Sequence, residues 1–146
     1  MRLWHYKLIP FLPDSQLIAQ WRELNSIFKK QDKHILINYI YEYPKDDLYC
    51  YGCLLRDEMH DRGIKIKSYN NWNSYFGNQL TRPGSDMWFN YIPFKRHQTD
   101  RYLLQCFYNL QEKYDRGQKD FSKKQYEKLY DFVNNELDLD CNQDNL

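Results

Sequence analysis

The sequence lacks several features that would place it in a membrane or outside the cell. No apolar run approaches the roughly 20 residues that a membrane-spanning helix needs. The first seven residues contain no apolar stretch followed by a small-residue cleavage site, so we expect no signal peptide and a cytoplasmic location. There is also no internal repeat and no low-complexity linker, which favours a single domain.

Cysteine is scarce, and the 4 cysteines do not form the framework of a disulfide-rich domain. Cys50 and Cys53 have the CxxC spacing of a redox pair or of half a zinc site. No second CxxC and no pair of histidines occurs at ligand spacing, and no predicted strand precedes the motif. We therefore interpret both as thiols without a chemical role and expect no metal and no cofactor.

Glycine is also scarce, whereas tyrosine is abundant, with 5 and 14 residues respectively. Aromatic residues make up 18% of the chain. A tyrosine-rich chain can bury the faces of its rings while its hydroxyl groups stay in water. A polar average composition is therefore compatible with a folded core.

The net charge is only +1, but the charges are unevenly placed. Residues 136–146 contain 4 of the 20 acidic residues and no basic residue, so residues 1–135 carry 21 basic and 16 acidic side chains, a net +5. We divide the chain accordingly into a helical domain, residues 1–135, and a frayed acidic tail, residues 136–146. A basic body permits a polyanionic partner, although a solvated surface would look the same.

Four segments have apolar residues at helical spacing. The first begins with Asp14 or Ser15 as its cap and runs to about Lys30. The second opens at Asp46 or Asp47. The second ends at Arg62–Gly63, a basic last turn followed by glycine. The third begins near Thr99 and ends at Arg116–Gly117. The fourth begins with a capping box at Ser122 and Gln125.

The apolar residues of these segments predict the faces that each helix buries. They are Leu17, Trp21, Leu24 and Phe28 in the first helix, Leu48, Tyr51, Leu55 and Met59 in the second, Leu103, Cys106, Phe107 and Leu110 in the third, and Tyr126, Leu129 and Val133 in the fourth. Between the second and third helices, residues 64–98 are rich in aromatic rings and have no strong helical period. The predicted fold is all-α, a single compact domain of about four helices with a long aromatic-rich irregular segment.

Arg22 and Glu23 lie on opposite flanks of the first apolar stripe, at about 140° and 240° from Leu17 for a 100° step. Both can reach solvent or a groove while Trp21 and Leu24 anchor the helix. An isolated pair of this kind is usually a pair of surface charges.

The surrounding residues indicate more than surface charges. The stretch Leu12 to Leu24, L-P-D-S-Q-L-I-A-Q-W-R-E-L, resembles the first helix of the phage-type pyrimidine-dimer DNA glycosylases, the endonuclease V that nicks DNA at ultraviolet dimers. Further similarity follows at Lys33–His34, over residues 41–67, at residues 91–93 and over residues 109–113. The opening M-R-L-W-H is similar to a bacterial branch of that family.

The resemblance implies a chemistry and a set of residues. Family members attack the sugar C1′ of the damaged nucleotide with their N-terminal α-amine, expel the base, form an imine and allow strand cleavage by β-elimination. An α-amine, with an ordinary pKa of about 7.7–8.0, keeps a usable neutral fraction near neutral pH. Glu23 matches the carboxylate that stabilises the cationic sugar.

The resemblance also implies the contacts to DNA. Arg2, Arg22 and Lys113 match basic residues of the family, and Lys33 falls in a matching block after the first helix. The expected partner is double-stranded DNA that contains damaged bases. We expect the protein to act as a monomer and not to bind a membrane. Members of the family bend the DNA and extrude a nucleotide.

Several positions differ from the phage members of the family. Those members expose a threonine amine after losing methionine, whereas Arg2 is too large for normal methionine removal, so the resemblance implies the amine of Met1 as nucleophile. Ser26 and Asn109 replace basic residues, and Gln16 replaces a histidine. A glycosylase for another base lesion and a non-catalytic DNA-binding protein with the same fold are the two alternatives.

Overall fold

The computed structural model describes residues 1–77 and 91–138, and these residues form five α-helices and two 3-10 helices, without a strand. The α-helices are α1 (Asp14–Lys30), α2 (Lys45–Asp61), α3 (Asn70–Phe76), α4 (Asp100–Asp115) and α5 (Lys123–Leu137). The 3-10 helices cover Tyr6–Phe11 and Asn38–Glu42. The predicted all-α class is confirmed.

Helix α1 packs on both α2 and α3, while α4 packs on α5 and the first 3-10 helix lies against α2 and α5. The apolar stripes predicted for the first three long helices are buried throughout. In α5, Leu129 and Val133 are buried and Tyr126 is half-buried, stacked on Tyr114 with ring centroids 4.2 Å apart. One continuous apolar core therefore joins the helices.

The prediction that Asp14 or Ser15 caps α1 is wrong. Pro13 precedes the helix, and neither Asp14 nor Ser15 caps it with a side chain. The Asp14 carboxylate instead accepts a hydrogen bond from Arg62 at 2.9 Å, and the Ser15 backbone N–H donates to the Asp120 carboxylate at 2.8 Å. Groups that are distant in sequence thus satisfy the first turn.

The expected start of α2 is also corrected. The helix begins at Lys45 after Pro44, and no side chain caps it. Asp47 is buried, where its carboxylate accepts hydrogen bonds from the Phe94 backbone N–H at 2.7 Å and from the Tyr91 hydroxyl group. Its carboxylate joins α2 to the segment before α4 rather than capping the helix.

The other predicted helix ends are confirmed. Gly63 and Gly117 follow α2 and α4 in the left-handed region, with φ of 75° and 83°. The Thr99 side chain accepts a hydrogen bond from the Tyr102 N–H at the start of α4. Ser122 and Gln125 form both bonds of a capping box at the start of α5.

The prediction of an irregular segment over residues 64–98 is wrong for α3. This short helix buries Trp72 and Phe76 against Trp21 and Phe28 of α1 and Tyr49 of α2, a set that we call the ring cluster. Gly52 of α2 admits the Trp72 ring so closely that a Cβ atom there would lie 2.5 Å from it. The two buried rings of α3 stand four positions apart, one helical turn, but the helix is too short for that spacing to repeat.

Parts of the prediction lie outside the described residues. Two rings of the aromatic segment, Trp88 and Phe89, are among them, and so are Cys141 and residues 139–146 of the predicted acidic tail. Within the described part, α5 continues to Leu137 and Glu136 forms an ion pair with Lys7.

Among the residues that the structure describes, no helix is both long and apolar enough to span a bilayer.

Candidate active site at the amino terminus

The amino-terminal segment, residues 1–5, is buried along most of its length and packs across α1, α2 and α4. Leu3 and Trp4 are in the core. The Leu3 carbonyl accepts a hydrogen bond from the Tyr102 hydroxyl group of α4, and the Trp4 carbonyl oxygen lies 2.7 Å from the Tyr51 hydroxyl group of α2. Met1, by contrast, is 39% exposed, so the segment brings its first residue to the surface.

An open cleft of about 240 Å³ lies beside Met1. Its walls come from the amino-terminal segment, the first half of α1 and the last turns of α4. The lining residues are Met1, Arg2, Trp4, Gln16, Ala19, Gln20, Glu23, Asn109 and Lys113. We call this feature the amino-terminal cleft.

Glu23 is half-buried in this cleft, with its carboxylate 2.8 Å from Nε2 of Gln20. Burial raises the pKa of Glu23 above the ordinary value of 4.5, and the positive charge of the N-terminal amine acts in the opposite direction. The carboxylate and the amine are therefore close enough to interact electrostatically. A carboxylate near an amine in a partly dehydrated cleft suits a reaction that develops positive charge.

Two further basic side chains line the cleft. Lys113 lies in the last turn of α4, one turn after Asn109, and is half-buried. The charge of Arg2 lowers the pKa of the Cys106 thiol, against the larger effect of burial, which raises it. Arg2 thus lies near α4, and Arg2 and Lys113 add positive charge to the cleft that contains Glu23.

The first part of the chain is similar to a known protein family. Residues 1–71 match the model of the family described as pyrimidine dimer DNA glycosylase. The matched residues are just under half of the chain, 71 of 146, and over them the chain is similar to that family. No curated protein and no solved structure matches the chain significantly. The match indicates a role in DNA repair, with DNA as the substrate.

The family match covers part of the cleft. It includes Met1, Arg2 and Glu23, together with Gln20, but ends before α4, which contributes Lys113. One wall of the cleft, the part of α4 that contains Asn109 and Lys113, therefore lies outside the matched residues.

Two of the six predicted site residues lie outside the amino-terminal cleft. Arg22 is exposed and lines a separate groove of about 450 Å³ between α1 and residues 64–68, with Trp21 among its neighbours. Lys33 is exposed in the connection that follows α1. The 100° step between Arg22 and Glu23 directs them to different sides of α1.

The CxxC motif lies on α2, away from the cleft. Cys50 is buried and Cys53 half-buried, and burial raises the pKa of the Cys50 thiol to about 12. Redox cysteines need the opposite shift. In residues 1–77 and 91–138, no three histidine, cysteine or acidic side chains come together as a metal site would require.

Sequence reasoning missed the groups that hold the cleft together, above all Gln20 and Tyr51. Gln20 is 1% exposed, and the Tyr51 hydroxyl group lies 2.9 Å from Gln20 Oε1. The available signal was a polar residue on the buried face of α1, three positions after Leu17 and four before Leu24. A buried amide needs partners, which points to a structured polar site.

Proposed function

We propose that this protein is a DNA glycosylase with abasic-site lyase activity, acting on pyrimidine dimers or a related base lesion. The α-amine of Met1 is the nucleophile, and the Glu23 carboxylate stabilises the cationic sugar. The observation that carries the proposal is that Met1 and Glu23 line one cleft, together with Arg2 and Lys113, in a chain whose first half matches the glycosylase family.

The reaction begins when the neutral amine attacks C1′ of the damaged nucleotide. The new C–N bond forms as the bond between C1′ and the base breaks, and the base leaves with the bonding electron pair and takes up a proton. The attacking nitrogen loses a proton, the bond between C1′ and the ring oxygen breaks, and that oxygen takes up a proton, which leaves a protonated imine between Met1 and C1′. Loss of a C2′ proton and of the 3′ phosphate by β-elimination cleaves the strand.

Glu23 contributes most while the base departs. Positive charge then develops on the sugar, and a half-buried carboxylate stabilises such a charge more strongly than one in water. The same carboxylate can accept and return protons during imine formation. The raised pKa of Glu23 suits that exchange, because its protonated form is more accessible than that of a solvated glutamate.

The basic residues bind the DNA around the lesion. Arg2 and Lys113 line the same cleft as the reacting groups and are suited to the phosphates next to the extruded nucleotide. Arg22 in its groove and Lys33 after α1 are exposed and extend the positive surface along α1. We propose that a monomer binds duplex DNA in this way.

Borohydride trapping on DNA with one abasic site tests the nucleophile. Protein whose first residue is verified as Met1 by intact mass should form a covalent adduct, and peptide mapping should place the adduct on Met1. A matched variant with one added glycine before Met1 should bind DNA but form no adduct, since its amine lies about 3.5 Å farther along the chain.

The other results have defined meanings. An adduct that survives the extension would move the nucleophile to a lysine and contradict the proposal. Salt-sensitive duplex binding without any adduct would favour a non-catalytic DNA-binding protein. If trapping succeeds, duplexes with one defined lesion each will distinguish a pyrimidine-dimer enzyme from a glycosylase for another damaged base.

A further inference from the structure

We propose that Gln20 is the positioning residue of this site, because one buried amide binds both the Glu23 carboxylate and the segment that carries Met1. The inference rests on the proposed function for its catalytic meaning. Its structural part, that Gln20 orders the Glu23 carboxylate, can be tested without any enzymatic activity.

The Gln20 amide has hydrogen-bond partners at both its oxygen and its nitrogen. Its Oε1 atom accepts a hydrogen bond from the Trp4 backbone N–H at 2.7 Å and lies 2.9 Å from the Tyr51 hydroxyl group. Its Nε2 atom donates to the Arg2 carbonyl at 3.1 Å and to Glu23 Oε2 at 2.8 Å. Both hydrogens of the amide nitrogen are therefore used, while the single proton of the Tyr51 hydroxyl group is shared between Gln20 Oε1 and the Trp4 carbonyl at 2.7 Å.

The orientation of this amide is fixed by chemistry. The Trp4 N–H can only donate, so it requires the amide oxygen on its side. The Arg2 carbonyl can only accept, so it requires the amide nitrogen on the other. An amide turned by 180° would lose both contacts in a buried place.

This orientation links the two reacting groups. Trp4 and Arg2 belong to the same segment as Met1, and Glu23 lies one helical turn after Gln20, on the same side of α1. The Nε2 donor favours the charged form of the carboxylate and holds one of its oxygens. Gln20 therefore sets the position of Glu23 relative to the first residues of the chain.

Gln98 provides a matched control. It is also buried, and it also anchors the amino-terminal segment, since its Oε1 accepts from the Tyr6 N–H at 2.8 Å and its Nε2 lies 3.4 Å from the Trp4 carbonyl. None of its hydrogen bonds involves Glu23. Gln98→Met therefore weakens the anchoring of the segment without removing a donor from the carboxylate.

The first experiment is a pH titration of the Glu23 side-chain carboxyl by carbon NMR in free protein. We expect the pKa of Glu23 to rise further in Gln20→Met, because the donated hydrogen bond is lost, and to stay unchanged in Gln98→Met. Gln20→Glu keeps the acceptor atom and the side-chain size but places a second carboxyl beside Glu23. It should raise the pKa of Glu23 more than Gln20→Met does, and it serves if Gln20→Met fails to fold.

The second experiment measures base release by the full chain with a verified Met1. Gln20→Met should lower kcat by about 100-fold, the scale of a small misplacement of reacting groups, with little change in KM. Gln98→Met, compared at equal fraction folded, should keep a kcat within a few-fold of the original.

The outcomes separate the two proposals. Equal titration of Glu23 in the original protein and in both Gln20 variants would overturn the inference, as would equal kcat losses in Gln20→Met and Gln98→Met. If the original protein neither releases a base nor forms an adduct, the proposed function fails. The titration still decides whether Gln20 orders Glu23.

Discussion

Helix α1 has two flanks that differ in how they are held. The flank towards the amino-terminal cleft carries Gln20 and Glu23, which are fixed by hydrogen bonds. The other carries Trp21 and Phe28, which are fixed by contact with the rings of α3. Adjacent residues of one helix thus support chemistry on one side and the fold on the other, so the two effects should separate experimentally.

The largest effect is expected for Glu23→Gln, which should lose base release without losing DNA binding. Base release should fall by about 1,000-fold, because the sugar cation loses its opposing charge. Duplex binding should stay nearly intact or become slightly tighter, since the change removes a negative charge near DNA. Single-turnover kinetics and equilibrium binding on the same lesion-containing duplex measure both effects.

A suitable control is Glu112→Gln on α4, where the exposed carboxylate pairs with Arg116 at 3.1 Å, outside the amino-terminal cleft. It should leave base release unchanged. A fully active Glu23→Gln would remove the main residue on which the proposed mechanism depends.

Trp72→Ala in the ring cluster should have the opposite effect, lowering stability while activity in the folded protein is kept. Trp72 is 6% exposed and contacts rings of α1, α2 and α3. Its loss should lower the free energy of unfolding by about 3–5 kcal/mol, as for other buried aromatic residues. Urea denaturation measures this loss, with Tyr108→Ala, at 55% exposure, as the control.

At low temperature, the folded fraction of Trp72→Ala should keep most of its activity in base release. A selective loss of kcat with unchanged stability would show instead that the ring cluster supports the chemistry, and the contrast between the flanks would be lost.

The sequence predicted more of the helices than of their junctions. Periodicity located the buried faces of four long helices because burial selects the same spacing wherever a helix meets a core. It misplaced the starts of α1 and α2 because Asp14 and Asp47 have partners far away in sequence, Arg62 and Phe94. It missed α3 because seven residues are too few to show a period.

The candidate site was likewise predicted only in part from the sequence. The family resemblance selected Met1 and Glu23, and the fold places both in one cleft. The helical step predicted that Arg22 and Glu23 lie on opposite flanks of α1, and Arg22 does line another groove. Nothing in the local sequence indicated that Lys113 would complete the cleft. Which residues share a cleft depends on helix packing, which local patterns do not specify.

A smaller effect on stability is expected from His5, which lies in the amino-terminal segment. The ring is buried, with Nε2 3.0 Å from the Gln98 carbonyl and Nδ1 accepting from the Lys7 N–H at 3.2 Å. Burial lowers the pKa of His5 from 6.5 to about 4. The neutral ring satisfies both contacts, and protonation of Nδ1 breaks one of them.

The direction of the pH dependence follows from this shift. Between pH 6.5 and pH 4, the unfolded chain binds a proton at His5 that the folded chain does not, so stability falls as the pH is lowered. The loss approaches about 3 kcal/mol, at about 1.4 kcal/mol for each pH unit between the two pKa values. Urea denaturation across this range should show a shallower dependence for His5→Gln, and an unchanged one for the exposed His60→Gln. A dependence that survives in His5→Gln would assign it to other groups.

The smallest effects are expected for single phosphate contacts, and they test whether DNA reaches both sides of α1. Contact with about four phosphates should give a slope near −4 for log affinity against log salt concentration. Arg22→Gln and Lys33→Gln should each reduce the magnitude of that slope by about 1 while kcat at saturating DNA is retained, because both side chains lie outside the cleft. Lys113→Gln should reduce the slope equally but also lower kcat, since Lys113 lines the cleft with Glu23. Lys128→Gln, in a separate cleft beside Arg62, is the control and should change neither quantity.

Binding that does not depend on salt would argue against every DNA contact proposed here. A loss of kcat in Arg22→Gln as large as in Lys113→Gln would show that the groove on the ring side also takes part in the reaction.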